Sequence, residues 1–224
     1  MARSRRYYQL MASLPPLLPL FESEQTPISR LRLEERLGML TAEDRAELSA
    51  ITSLTHWHRL APDADDAHLV ALAHRVVPAI GNAELREILT WRLELRSVVA
   101  ALRRRQAGRP APTAGELWGY GRWVRTVEAH WSHPDFQLAG PLPWVPEVRQ
   151  LMEQDQPYEL ERALLGVSWR HHRLAAEGHY FDFEAVVLYV LRWDLVHRWL
   201  MYDGQRARQR FEEMAETALE EWIA

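Results

Sequence analysis

An uninterrupted apolar run at residues 185–191, AVVLYVL, most limits the folds open to this 224-residue chain. A helix that is apolar on every face lies inside a protein, because no side of it can face water. The run cannot be part of a membrane span, which needs about 20 apolar residues, because Glu184 and Arg192 flank it directly. Asp182 stands where an N-cap residue would accept an unpaired backbone N–H. We therefore predict a central buried helix over residues 181–202, with the rest of the chain packed around it.

The residue types that the chain lacks exclude whole classes of function. It contains neither Cys nor Lys, and all 27 basic residues are Arg. Without Cys there are no disulfides, thiolate zinc sites or thiol nucleophiles. Without Lys there is no phosphate-binding lysine of a P-loop and no Schiff-base chemistry. The formal net charge of −4 gives no general attraction to nucleic acid or anionic lipid. Because no stretch resembles a signal peptide or a membrane span, we expect a cytoplasmic protein.

Apolar residues recur at helical spacing through most of the chain, and no segment shows the strict alternation of a half-buried strand. The clearest amphipathic helix is predicted over residues 83–106, with Asn82 as its cap and a Gly/Pro linker at 108–112 after it. Short helices and loops packed by aromatic side chains are predicted beyond the linker, where four Trp lie between residues 118 and 144. The predicted fold class is all-α.

Two packed helical lobes around the central helix are the predicted architecture. The lobes would comprise residues 1–108 and 109–224, although the same pattern also fits one compact domain. We further predict a helix start at Thr26-Pro27 and a break at Asp203-Gly204, which would separate an amphipathic tail helix from the central one.

A weak internal echo is visible at a separation of 100 residues. Asn82, Glu84, Arg92, Glu94 and Leu95 recur as Asp182, Glu184, Arg192, Asp194 and Leu195. Such matches also arise by chance, so duplication of one lobe stays an open alternative. The two arginines lie on apolar stripes, and we expect them to pair with acidic residues such as Glu94, Asp194 or Glu184 across a helix contact.

Three stretches together resemble a known family. They are YYQLMASLP at residues 7–15, ELREILTWRLELRSVVAALRRRQAG at 84–108, and residues 181–199 followed by Asp203-Gly204 and Phe211. They resemble bacterial proteins encoded with V/A-type ATPases, distant kin of the C-type central-stalk component of those enzymes, whose eukaryotic counterpart is the d-type component. The resemblance implies an all-helical, non-catalytic rotor part, similar to that stalk component, and we predict neither a metal site nor a cofactor. It also implies stalk subunits and the membrane proteolipid ring as partners.

Arg103, Arg104 and Arg105, at the end of the amphipathic helix, are a candidate docking patch for an acidic partner surface. Cations at a helix C-terminus also complement its dipole by about 0.3–1 kcal/mol each, which accounts for them without a partner. Trp118 and Trp123 follow in the aromatic-rich stretch, and aromatic residues are enriched at interfaces as well as in cores. We predict a partner-binding surface that contains these five residues.

A small metal-dependent hydrolase is an alternative function, built on His56 and His58 together with Asp63, Asp65 and Asp66. Residues i and i+2 point about 200° apart on a helix, so the two histidines could share an ion only where the helix has ended. A helix end followed by a capped loop explains the same residues more simply.

An RNA-binding helical module is a second alternative, because Trp118, Tyr120 and Trp123 alternate with Arg122 and Arg125. The net charge argues against RNA binding.

The leading prediction is a non-catalytic coupling component of a V/A-type rotary ATPase. It would link the stalk to the ring at the inner face of the cell membrane and bind no nucleic acid.

Overall fold

The structure is a computed structural model that describes residues 6–55, 66–113 and 115–223, with only the backbone given for residues 66 and 204–223. None of these residues lies in a β-strand, which confirms the predicted all-α class. The described helices are α1 (Tyr8–Ser13), α2 (Arg30–Leu37), α3 (Ala42–Thr55), α4 (Asp66–Val76), α5 (Ala83–Gln106), α6 (Val124–Ala129), α7 (Val145–Glu153), α8 (Pro157–Ala175) and α9 (Phe183–Ile223). Short 3-10 turns lie at Leu20–Glu22 and Val77–Ala79.

Helix α9 is the central buried element that the apolar run predicted. Every residue from 185 to 191 is buried, and Val186, Val187 and Leu188 have no solvent exposure at all. The cap is also confirmed, since Asp182 Oδ1 accepts the backbone N–H of Ala185 at 2.8 Å. The central helix is therefore fixed both by its burial and by its own N-terminal residue.

The predicted break at Asp203-Gly204 is wrong, because α9 continues through it as one helix of 41 residues. A glycine inside a helix costs only about 1 kcal/mol relative to alanine. That penalty is too small to end a helix when no proline follows and helix-forming residues continue on both sides. The tail predicted as a separate helix is thus the second half of α9.

The core consists of three clusters of buried side chains. The first joins α1 to α4 with the start of α5 and residues 183–193 of α9. The second packs α6, α7 and part of α8 against residues 95–102 of α5. The third places Leu20 and Leu165 against Leu195, Val196 and Trp199 of α9. Helix α5 contributes to the first and second clusters, so it connects them directly; the division into lobes at residue 108 stays a prediction.

Side chains of α9 hold the N-terminal segment by donating hydrogen bonds to backbone carbonyls of that segment. Tyr189 Oη donates to the carbonyl of Pro15 at 2.9 Å, and Trp193 Nε1 donates to that of Ile28 at 2.8 Å. Helix α2 begins after Ser29, whose hydroxyl accepts from Arg32 N. The predicted start at Thr26-Pro27 is therefore wrong, because the chain bends at Pro27 and Ile28 and α2 begins only at Arg30.

The aromatic-rich stretch after α5 folds as predicted, into short helices and loops packed by rings. Phe136 and Leu138 are completely buried, and the rings of Trp131 and Phe136 stack with centroids 5.3 Å apart.

Within the part of the chain that the structure describes, no helix combines the length and the apolar character needed to cross a membrane.

Candidate functional site

Arg104, from the predicted docking patch, ties the linker that follows α5 back onto the helix. Its Nε donates to the carbonyl of Pro110 at 2.9 Å, and its guanidinium forms an ion pair with Glu116. Glu116 also accepts from the backbone N–H of Thr113 at 2.9 Å. The hydrogen bond from Arg104 is the main reason that the pKa of Glu116 is lowered. Arg104 therefore has a structural partner within the chain.

The other two arginines of the patch differ from each other. Arg105 donates to the carbonyl of His133, and its guanidinium carbon lies 5.7 Å from the centroid of the Phe136 ring. It therefore joins α5 to the aromatic-rich loop. Arg103 is exposed on the outside of the same turn. Of the three cations, Arg103 is the one whose side chain the fold turns outward.

The two tryptophans predicted for the same surface also have different environments. Trp118 is 6% exposed, packs in the second core cluster, and donates from Nε1 to Glu128 Oε1 at 2.9 Å. Trp123 is half-buried, with the guanidinium of Arg122 5.5 Å from its ring centroid. Trp118 thus contributes packing, whereas Trp123 keeps one side toward solvent.

A loop after the linker is clamped onto α5 by Glu94 and Ser97. Ser97 Oγ accepts the backbone N–H of Tyr120 at 2.8 Å. Glu94, which is 3% exposed, accepts from the backbone N–H of Arg122 at 2.9 Å and from its Nε at 3.1 Å. Gly121, at φ +97°, lies so close to Glu94 that an added Cβ would fall 2.2 Å from Glu94 Cγ. The backbone at Gly121 therefore lies directly against a carboxylate of its own chain.

A buried group of basic side chains lies between α5 and α8. Arg92 donates to Ser168 Oγ at 2.7 Å, and burial lowers the pKa of Arg92 to about 9. His171 stacks on Trp91 with ring centroids 3.6 Å apart, and burial lowers its pKa to about 4. His172 is 2% exposed, and burial followed by the charge of Arg92 holds its pKa well below the usual range. Both histidines are therefore neutral at physiological pH.

The acidic partners predicted for Arg92 and Arg192 form other contacts. Glu94 is bound to Arg122, Asp194 lies 3.6 Å from Arg30 Nη2, and Glu184 accepts from Asn82 Nδ2. Arg192 donates from Nε to the carbonyl of Leu188 at 3.2 Å. Spacing along the sequence could not predict these contacts, because most of them join residues that are far apart in the chain.

A polar junction forms where α5 and α9 begin side by side. Asn82 caps α5 by accepting from Glu84 N and Leu85 N at 3.0 and 3.1 Å, while its amide donates to Glu184 on α9. His179 Nδ1 lies 2.9 Å from Asp182 Oδ2, and its Nε2 lies 3.3 Å from Glu84 Oε2. Although burial opposes it, hydrogen bonding to Asp182 and the charges of Asp182, Glu84 and Glu184 raise the pKa of His179. We give the name helix-start junction to Asn82, Glu84, His179, Asp182 and Glu184.

His179 is the site residue that sequence reasoning missed. The available signal is its spacing from two carboxylates, His179-x-x-Asp182-x-Glu184, immediately before the apolar run. This spacing brings one ligand atom from each of the three residues within 4.8 Å of the others. The metal cluster predicted at His56 and His58 with the following aspartates lies outside the described residues, apart from the backbone of Asp66.

A groove of about 300 Å³ runs between α2, α3 and α9. Its wall includes Leu33, Leu48 and Trp193, and Arg30 lies over Trp193 with its guanidinium carbon 5.3 Å from the ring centroid. The groove combines apolar side chains with the ion pair of Arg30 and Asp194, a mixture that small-molecule clefts often have.

Fold and sites together define a protein whose described regular secondary structure is helical and is built around one long helix with a buried first half. Residues 64–221 match a protein family described as "Protein of unknown function (DUF2764)". The match covers well over half of the chain, and the protein belongs to this family. Comparisons with curated proteins and with solved structures gave no match.

Proposed function

We propose that this protein is a non-catalytic coupling component of a V/A-type rotary ATPase, where it links the central stalk to the proteolipid ring. The proposal rests on the resemblance of residues 7–15, 84–108 and 181–199, the last followed by Asp203-Gly204 and Phe211, to relatives of the C-type stalk component. The structural observation that carries it is α9, a single helix of 41 residues whose first half is the buried centre of the fold.

An uninterrupted helix is suited to carrying force between two partners. At 1.5 Å per residue, α9 is about 60 Å long. The first half of α9 packs against α3, α5 and α8. Force applied to the second half would reach the core through continuous backbone hydrogen bonds, whereas a flexible hinge at Asp203-Gly204 would absorb it.

Partner contacts would use the outward-facing members of the predicted docking surface, Arg103 and Trp123. Arg104 and Arg105 would support that surface indirectly, because they fasten the neighbouring linker and loop to α5. In this proposal the protein is cytoplasmic and reaches the inner face of the cell membrane through the stalk and ring subunits. Reaction chemistry would belong to the catalytic head of the complex.

A paired measurement tests the proposal. ATP hydrolysis by the detached catalytic head and ion pumping by the assembled enzyme in vesicles are each measured with and without this chain. We expect hydrolysis by the head to be unchanged and pumping to be lost. Undiminished pumping without the chain, or failure of the chain to co-purify with any stalk or ring protein, would contradict the proposal.

Substitutions at Gly204 test the role of α9 directly. Gly204→Pro removes a helical hydrogen bond and costs about 3 kcal/mol or more in a helix interior, whereas Gly204→Ala favours the helix by about 1 kcal/mol. We expect Gly204→Pro to reduce ATP-driven pumping while the melting temperature of the core remains close to that of wild type. Gly204→Ala is the matched control and should pump normally.

The two alternative functions have tests of their own. A hydrolase built on His56 and His58 would lose its activity when both are changed to Gln. An RNA-binding module would bind with a steep dependence on salt concentration, because phosphate contacts release counterions. Neither result is expected from a coupling component of a rotary ATPase.

A further inference from the structure

We propose that the helix-start junction is a binding site for a divalent transition-metal ion, with His179, Asp182 and Glu184 as its protein ligands. The site would join the start of α9 to the turn that precedes it, beside the start of α5. This inference is independent of the function proposed above, because it concerns residues that the predicted partner surface does not include.

The spacing of the three side chains is close to that of a metal site. One ligand atom from each lies within 4.8 Å of the other two, and His179 Nδ1 and Asp182 Oδ2 are already 2.9 Å apart. Tetrahedral bonds of about 2.1 Å would place ligand atoms about 3.4 Å from one another. Closure of the site therefore needs the most widely spaced ligand atoms to approach each other by at most about 1.4 Å, and His179 Nδ1 and Asp182 Oδ2 to separate by about 0.5 Å.

Glu184 supplies the observation that points to a ligand. Its side chain is buried, with 9% of its surface exposed, and one oxygen accepts from Asn82 Nδ2. The other oxygen, Oε2, is buried and has no hydrogen-bond partner. A buried carboxylate oxygen without a donor is costly. One of its oxygens lies within 4.8 Å of a ligand atom of His179 and of one of Asp182, so the three side chains are close neighbours. A bound cation would satisfy this oxygen.

Each proposed ligand is oriented by a neighbour outside the site, as metal ligands commonly are. Nε2 of His179 faces Glu84 Oε2 at 3.3 Å, which leaves Nδ1 for the ion. Asp182 Oδ1 is held by the backbone N–H of Ala185 at 2.8 Å, which leaves Oδ2. Asn82 fixes one oxygen of Glu184. The neighbours thus select one ligand atom on each of the three residues, and a bound ion would replace the hydrogen bond between His179 Nδ1 and Asp182 Oδ2.

The ligand set selects the class of ion. An imidazole nitrogen with two carboxylates suits Zn²⁺, Mn²⁺ or Co²⁺, whereas Mg²⁺ and Ca²⁺ prefer sites made only of oxygen. Three protein ligands leave room for water in the remaining positions. The two carboxylates with a neutral imidazole balance the charge of a divalent ion.

Zn²⁺ binding to the purified, untagged full chain tests the proposal, measured by competition with a chromophoric chelator. Co²⁺ serves as a spectroscopic probe of a nitrogen and oxygen ligand set. We expect one Zn²⁺ per chain, visible Co²⁺ absorption that Zn²⁺ displaces, and a Zn²⁺ affinity at least about 10-fold weaker in Glu184→Gln. Glu84→Gln, which changes only the orienting carboxylate, should weaken binding about 10-fold to 100-fold.

Two control variants distinguish this site from other metal-binding groups. Glu87→Gln removes an exposed carboxylate of α5 and should bind Zn²⁺ like the wild type. His56→Gln/His58→Gln should also retain one Zn²⁺ per chain. Absence of stoichiometric Zn²⁺ in the wild type, unchanged affinity in Glu184→Gln, or loss of the ion in the His56/His58 variant would overturn the proposal. If Glu184→Gln does not fold, His179→Ala at the half-buried histidine gives the same readout.

Discussion

The carboxylate of Glu94 accepts hydrogen bonds from both the backbone N–H and the guanidinium of Arg122, 28 residues further along the chain. A single buried side chain of α5 thereby fixes the position of the loop that follows the linker. The close approach depends on Gly121, which has no side chain and adopts a positive φ of 97°. The clamp therefore needs both a carboxylate on the helix and a glycine on the loop.

Gly121→Ala should destabilise the protein by about 3 kcal/mol or more. The new Cβ would overlap Glu94 Cγ, and residues other than glycine are strained at this φ by about 1–3 kcal/mol. Urea denaturation followed by circular dichroism measures the change. Gly140→Ala is the control, since no atom lies within 4 Å of its added Cβ; we expect it to be within about 1 kcal/mol of wild type. Equal stabilities for the two variants would contradict the clamp.

Val187→Asp and Leu191→Asp should each prevent folding. Val187 is completely buried and Leu191 is 4% exposed, so each substitution puts an unpaired carboxylate into the core. The cost exceeds the roughly 5–15 kcal/mol that stabilises a typical domain. Soluble yield and far-ultraviolet circular dichroism report the result. Met201→Asp, at an exposed position of the same helix, should fold normally.

Asn82→Ala should cost more than the loss of an ordinary N-cap. Removal of a cap costs about 0.5–2 kcal/mol, and this substitution also leaves Glu184 without its amide donor. Ser29→Ala is the matched control. The Ser29 hydroxyl caps α2 by accepting one exposed hydrogen bond of 3.4 Å, which is the contact described for it. Thermal unfolding of both variants should show the larger loss for Asn82→Ala.

Stability should fall as the pH is lowered from about 6.5 to about 4. The pKa of His171 is lowered to about 4 and that of His172 lies well below its usual value, so the unfolded chain binds more protons than the folded one in this range. Their contribution is thus complete above the unfolded value of about 6.5 and decreases below it. The raised pKa of His179 acts in the opposite sense, above pH 6.5. Urea titrations at several pH values should show a shallower decrease for His172→Gln than for wild type.

Local signals in the sequence predicted the main elements of the fold. The apolar run at 185–191 required a buried helix whatever surrounded it, and Asn82 and Asp182 act as caps through contacts within three residues. The prediction of a helix break at Asp203-Gly204 was also wrong for a local reason. Asp203-Gly204 is typical of a turn, but its small cost is outweighed by the helix formers around it.

The candidate sites depended on contacts that spacing along the chain does not determine. Arg92 binds Ser168 across 76 residues, and Asn82 binds Glu184 across 102. The sequence marked Arg103, Arg104 and Arg105 as one group, yet in the fold Arg103 is exposed, Arg104 bonds to the linker and Arg105 bonds to the aromatic-rich loop. Only the tertiary arrangement separates a cation that faces outward from one that fastens a neighbouring segment.

Because α5 supplies side chains to two core clusters, a substitution that destabilises one cluster should destabilise the other as well. Hydrogen bonds along α5 run without interruption from the first cluster into the second, so fraying at one end removes the support of the other. We expect the amides of α5 to exchange with solvent together, in a single cooperative event, rather than in two steps. A protease that reaches the aromatic-rich loop would then release no stable half, and the chain would be cleared from the cell as one unit.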